Sequence, residues 1–222
     1  FQLVSIKNNL VDLIISEKKR KVDLFFLMNE NTIGEKVSSK IKRLCKIIKS
    51  NKSDNIFVSA PENVAWLLNI RGKDNPNSPI PNSRLIIDKK KRIYFFSDIK
   101  KISKIKNTID YKEIKFLSFE KFYDVLSNLK KSNFIIDKLT CSIYFESLIK
   151  SKFQIISYED PIYYLKSIKN KVEIKNTKLA HIKDGVALTK FLYWIKQSKN
   201  FGFDELFLEK KLEKFRKQNR DY

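Results

Sequence analysis

Between Val37 and Ile156 short apolar runs alternate with stretches of helical period, and that alternation confines the chain to a layered fold. Ile56-Phe57-Val58, Leu85-Ile86-Ile87, Ile93-Tyr94-Phe95-Phe96, Phe134-Ile135-Ile136 and Phe153-Gln154-Ile155-Ile156 have the length of strands. Between them, Val37, Ile41, Leu44 and Ile48 recur at three- and four-residue intervals, which makes one amphipathic helix. Pro61 is placed to open a second, holding Ala65, Trp66, Leu67 and Leu68, because its missing N–H is one a helix start leaves unpaired anyway. Phe119 to Leu129 and Ser142 to Ile149 are also helical in pattern. The polar Asp88-Lys89-Lys90-Lys91-Arg92 between two strands predicts a hairpin. The expected fold is therefore α/β, a mixed sheet flanked by helices. Thr32 and Glu35 fit a capping box ahead of the Val37 helix.

The two ends read differently. Asn9 to Ile14 is short and helical, and Lys18-Lys19-Arg20-Lys21 reads as an exposed connector. Asp160-Pro161 starts a short helix. After Asn170, Val172, Leu179, Ile182, Val186, Phe191 and Ile195 keep a helical face for many turns, and a last helix opens at Asp204 with Leu208, Leu212 and Phe215 on one side. The change from alternation to long helices near Ile168 predicts a domain boundary. The start at Phe1 rather than Met, and a helix running into the C-terminus, suggest a piece of a longer polypeptide.

The formal net charge of +21 invites a nucleic-acid reading. Lys, however, is spread along the whole chain, Arg is scarce, and the excess of Lys, Asn and Ile falls on residues with AT-rich codons. Base readout leans on Arg forks and stacked aromatics, so a solvated surface is the expectation and a basic nucleic-acid binder the weakest alternative. The apolar runs are too short to cross a bilayer, and Phe1-Gln2-Leu3-Val4 does not open a signal peptide. Cys45 and Cys141 sit in apolar stretches and are expected to be buried free thiols of a reducing cytoplasm.

Catalytic equipment is sparse. The one histidine, His181, has no second His within a turn of it, so no zinc helix motif can be assembled. Asp184, one turn on, is expected to pair with it electrostatically. There is no nucleophile elbow, and four glycines do not supply a phosphate-cradling loop. The stretch with the most information is Trp66 to Pro81, where Pro76, Pro79, Pro81 and Gly72 impose one loop shape. Arg71 and Asp74 in this loop are placed either to line a pocket or to fasten the loop by pairing with each other.

Trp66-Leu67-Leu68-Asn69-Ile70-Arg71-Gly72, then Asp74 and Asn77-Ser78-Pro79, resembles the W-L-x-N-x-R-G-x-D signature of three-domain Xaa-Pro aminopeptidases in the creatinase/prolidase superfamily. Gly34-Glu35-Lys36, Asp160-Pro161, Lys166-Ser167-Ile168-Lys169-Asn170 with Glu173, and Ala180 to Leu188 resemble further landmarks of that family in its order. Lys183 stands where Arg is common, and Asn75 and Ser78 replace more usual loop residues. The resemblance implies three segments: residues 1–28, the end of a preceding domain and a connector; 29–168, a non-catalytic α/β domain; and 169–222, the first helices of a pita-bread catalytic domain. It implies a cytoplasmic, homodimeric parent enzyme that releases an N-terminal residue preceding proline and uses two divalent metals, manganese in most relatives. No metal or cofactor is expected in this stretch, and neither nucleic acid nor membrane is an expected partner. Arg71 and Asp74 become candidates for the substrate-cleft wall; Trp66, Asn69, Gly72 and Pro79 become candidates for positioning the loop. A non-catalytic interaction domain that has lost its peptidase half is the alternative.

Overall fold

A computed structural model describes residues 4, 6, 9–14, 22–130, 132–198 and 202–219, with only the backbone of Asp12. The basic run Lys18 to Lys21 lies outside the described residues. A short helix α1 (Leu10–Ile14) comes first, followed by strand β1 (Phe26–Leu27), helix α2 (Glu30–Ile33) and the amphipathic helix α3 (Val37–Ser50). Then come β2 (Asn55–Val58), α4 (Pro61–Leu68), β3 (Ile70–Arg71), β4 (Arg84–Asp88), β5 (Ile93–Phe96) and β6 (Ile114–Leu117). Helix α5 (Phe122–Asn128), β7 (Asn133–Ile136), α6 (Ile143–Lys150), β8 (Gln154–Ser157) and α7 (Pro161–Ser167) complete the layered part; α8 (Lys171–Gln197) and α9 (Glu205–Arg216) follow.

The main sheet has the order β6-β5-β4-β2-β7-β8. β4 runs antiparallel to both its neighbours, β2 and β5, and the remaining pairings are parallel. The sheet is mixed because β4 alone runs against the other five strands. Alternation of side chains distributes the apolar residues over both faces. Ile56, Val58, Leu85, Ile87, Phe95 and Ile135 pack with α3, α4 and α7, whereas Phe57, Ile86, Phe96, Phe134 and Ile136 pack with α5 and α6. Every residue of β2 is buried, as a central strand covered on both faces requires. On the second face Phe122 meets Phe57 and Phe145 edge-on and those two meet at a tilt, with ring centroids 4.8–5.3 Å apart.

Four features depart from the sequence reading. The capping box at Thr32 and Glu35 does not form. Asn29 caps α2 instead, accepting from the Asn31 amide, and Gly34 ends that helix at φ +67°. Glu35 then accepts from Ser39 Oγ and Arg43 Nη2, and α3 starts after Lys36, whose side chain makes no capping bond. A reciprocal capping box stands instead at Asn170 and Glu173, opening α8. β6, an edge strand with Lys115 exposed, and the two-residue pair β1–β3 are too short or too polar to register as apolar runs. Cys45 is buried, but Cys141 is only half-buried.

Beyond Ile168 the described residues are mostly in the two helices α8 and α9. α8 is tied to α2 through its first turns, where Asn170 Nδ2 donates to Ile33 O and Asn176 Nδ2 to Asn31 O. Gly34 makes this approach possible: a Cβ there would lie 2.6 Å from Asn170 Oδ1 and from Val172 Cβ. α9 folds against α8 around Trp194, which sits among Phe191, Phe203 and Phe207.

Candidate functional site

Helix α4 delivers the loop. Pro61 occupies its first turn, and Asn69 ends it in the left-handed region (φ 57°, ψ 28°), a conformation in which Asn, after Gly, is the least strained. The reversal at Asn69 sends Ile70 and Arg71 back as β3 against Leu27 and Phe26 of β1. Gly72 follows, buried, with its amide donating to Pro79 O at 3.2 Å. A Cβ at Gly72 would stand 2.9 Å from Phe25 Cδ1 and from Pro81 Cα, so the loop closes tightly only because that position has no side chain. At the tip Asn75 and Ser78 form a bridge, and Asn75 Oδ1 accepts from the Asn77 amide.

Arg71 and Asp74 do not pair with each other. Arg71 Nη1 donates to Ala65 O at 3.0 Å and Ile70 O at 2.9 Å, and no carboxylate partners it among the described residues. Asp74 is ion-paired with Lys101 and accepts from the Asn82 amide at 2.6 Å. The Arg–Asp fastening is thereby corrected: Asp74 closes the loop across its base, and Arg71 reaches back to α4. Two clefts flank the loop. One, of about 490 Å³, is lined by Glu62, Lys73, Asp74 and Lys101; the other, of about 750 Å³, lies between Gly72, Lys73, Pro79 and the Glu209 and Glu213 side of α9. Asp74 lines the first, Gly72 and Pro79 the second, and Arg71 neither.

The residue that sequence reasoning missed is Lys40. Its side chain is 1% exposed on α3, between the core residues Val37, Ile41 and Leu44. Its Nζ donates to Trp66 O at 2.8 Å and Asn69 Oδ1 at 2.6 Å, and lies 4.2 Å from the Trp66 ring centroid. Asn69 Nδ2 in turn donates to Glu35 O. Burial pushes the Lys40 ammonium down to about 8, against the opposing pull of Glu35 and Glu173. The signal was present in the sequence: a lysine three residues after Val37 and four before Leu44 falls on the inward stripe of its helix.

A second buried polar group fastens α7. Asp160 caps that helix, accepting from the Ile162 amide with Oδ1 and from Asn63 Nδ2 with Oδ2. Asn63 Oδ1 accepts from Lys166 Nζ, and the Asp160 amide donates to Asp137 Oδ2. Burial raises the Asp160 carboxyl to about 6, with the two hydrogen bonds pulling the other way.

Among the described residues no group of three or more His, Cys, Asp and Glu side chains is placed to hold a metal ion. His181 is exposed on α8. The expected His181–Asp184 pairing is secondary: Asp184 is engaged by Arg216 of α9 at 2.7 and 3.3 Å. That bond holds its carboxyl below the usual range, and His181 is the smallest contributor. This donor set does not fit a two-metal centre. No helix among the described residues is long and apolar enough to cross a membrane.

A family model described as the creatinase/prolidase N-terminal domain matches residues 16–173. Xaa-Pro aminopeptidase 1 of Dictyostelium discoideum is 30% identical over 210 residues, covering 91% of this chain and 33% of that protein. The chain thus spans about a third of the length of that relative. Among solved structures, X-prolyl aminopeptidase from Caenorhabditis elegans, a cytosolic enzyme with a di-nuclear active site, matches 99% of this chain and 37% of its own at TM-score 0.85 and 24% identity. The Xaa-Pro dipeptidase from Bacillus anthracis matches 82% of this chain and 49% of its own at TM-score 0.62 and 21% identity. At these identities the likeness to solved structures establishes the fold.

Proposed function

The chain belongs to the creatinase/prolidase N-terminal domain family, and on that premise we propose that it is the non-catalytic domain and cleft wall of an Xaa-Pro aminopeptidase. The parent enzyme removes an N-terminal residue that precedes proline, acts in the cytoplasm as a homodimer, and uses two divalent metals, manganese being the one proposed. Residues 1–28 end a preceding domain and connect it, 29–168 form the non-catalytic α/β domain, and 169–222 are the first helices of the catalytic domain. The observation that carries this reading is the family match over residues 16–173; the Xaa-Pro aminopeptidase relatives and the fold support it. Because the residues present do not fit a metal pair, no hydrolytic step is assigned to them.

The contribution proposed for this stretch is geometric. A loop closed by Gly72, the Asp74–Lys101 pair and three prolines presents a fixed surface. Although it lines neither flanking cleft, Arg71 is the candidate for contact with the peptide, since its guanidinium has unused donors and no carboxylate of its own among the described residues. Asp74, already engaged by Lys101, shapes the wall. In the intact polypeptide, Arg71→Ala is expected to lower kcat/KM for short Xaa-Pro peptides about tenfold, with the fold unchanged by circular dichroism. Unaltered kinetics would rule out Arg71 as the residue that contacts the peptide. The 222-residue chain alone is expected to turn over no Xaa-Pro peptide with or without added manganese, and clear turnover would overturn the reading as a wall.

A further inference from the structure

We propose that Lys40 is a positioning residue whose buried ammonium, by holding the last turn of α4, fixes the direction in which the loop from Ile70 to Pro81 leaves the fold. For its kinetic consequence the inference rests on the cleft-wall reading above; for its structural consequence it does not.

The position is one that packing alone would give to an apolar side chain. Lys40 shares the inner stripe of α3 with Val37, Ile41, Leu44, Cys45 and Ile48, and a buried charge there is costly unless fully engaged. The ammonium brings three directed donors that no apolar side chain has. Two go to Trp66 O and Asn69 Oδ1, and the indole face of Trp66 closes the remaining side. Trp66 O is one of the carbonyls a helix end leaves short of partners, and a cation suits that end of the helix dipole. The indole's own donor, Trp66 Nε1, is buried without a partner among the described residues, so the ring is located by the ammonium below it and not by its N–H.

Asn69 is held on three sides: by Lys40, by Glu35 O through its amide, and by the Met28 amide, which donates to Asn69 O. Its left-handed backbone sets the turn from α4 into β3, and Arg71 lies two residues beyond. Arg71 caps Ala65 O while Lys40 caps Trp66 O, so two cations grip adjacent carbonyls of one helical turn. The charged groups acting on Lys40 come from every side of this junction: Glu35 ahead of α3, Arg43 on α3, Arg71 on β3 and Glu173 at the start of α8. Any shift of Asn69 therefore moves Arg71.

Three measurements test this. In the 222-residue chain carrying Trp194→Phe, the emission maximum of Trp66 should shift when Lys40→Met removes the ammonium from its ring face; an unchanged spectrum overturns the proposal. Amide exchange at Met28, Gly72 and Ile80 should accelerate about tenfold or more in Lys40→Met, while the amides of β2 keep their rates. Equal acceleration in β2, or none in the loop, overturns it, since either result makes Lys40 a general packing residue or an idle one. In the intact peptidase, Lys40→Met should lower kcat/KM for Xaa-Pro peptides about tenfold. Accelerated loop exchange with unchanged kinetics would uphold the positioning role and overturn the cleft-wall reading instead.

Discussion

The residues that decide how this molecule behaves are a few polar groups inside an apolar framework. Asp160 is the clearest case. Its folded carboxyl is raised to about 6, above its ordinary 3.8, because burial penalises the charge more than Asn63 and the Ile162 amide stabilise it. Between those values the folded chain holds a proton that the unfolded chain has released. The stabilisation is therefore complete below the lower value and is lost as pH rises through the upper one. Urea unfolding of the wild type and Asp160→Asn at pH 4 and pH 7 should show the difference between them shrink by roughly 2–3 kcal/mol over that interval. At pH 7 the variant still costs stability, because Asn at position 160 offers one acceptor oxygen where the carboxylate uses two, so either the Ile162 amide or Asn63 Nδ2 loses its partner, and Lys166 on Asn63 Oδ1 prevents Asn63 from flipping to compensate. A pH-independent difference would show that Asp160 does not titrate in that range.

At the scale of elements, the loop and the α2–α8 junction both depend on a missing Cβ. Gly72→Ala should destabilise the chain by about 1–3 kcal/mol, because the new methyl meets the backbone of Pro81 as well as the ring of Phe25, and only the ring can move aside. Gly34→Ala adds backbone strain at φ +67° to its clash with Asn170 and Val172, and should loosen the start of α8 from α2. Thermal melts of the two variants check both. The elements themselves were legible wherever the apolar pattern was regular: α3, α4, the β4–β5 hairpin, β7 and α8 appear where periodicity puts them. β1 and β3 escaped because two residues carry no period, and β6 because Lys115 interrupts an edge strand that needs only one buried face. The capping box was displaced from Thr32 to Asn170 for a tertiary reason, since Gly34 ends α2 where α8 must approach.

At the scale of the whole molecule, the two ends of the chain are finished differently. The sheet is covered on both faces, but α8 contributes only Ala187 and Phe191 to the buried residues. Leu179, Ile182, Val186 and Tyr193 lie at helical spacing along one stripe of α8 and are exposed, Ile182 by 65% and Tyr193 by 66%. Exposed apolar residues at this spacing, broken by Thr189 and Lys190 before Tyr193, favour association. The 222-residue chain should sediment with concentration-dependent mass, and Ile182→Lys with Val186→Lys should suppress that without changing the melting temperature; a monomer at all concentrations would contradict the expectation.

By itself the sequence determined the layers, the order of most elements, and the loop rich in proline that stands at the candidate site, since periodicity and turn chemistry act over a few neighbouring residues. Tertiary structure alone decided who meets whom. Arg71 turned to carbonyls of α4 and Asp74 to Lys101, and Lys40 found Asn69 across 29 positions of chain, because a charged side chain takes the partner that folding brings within reach of it.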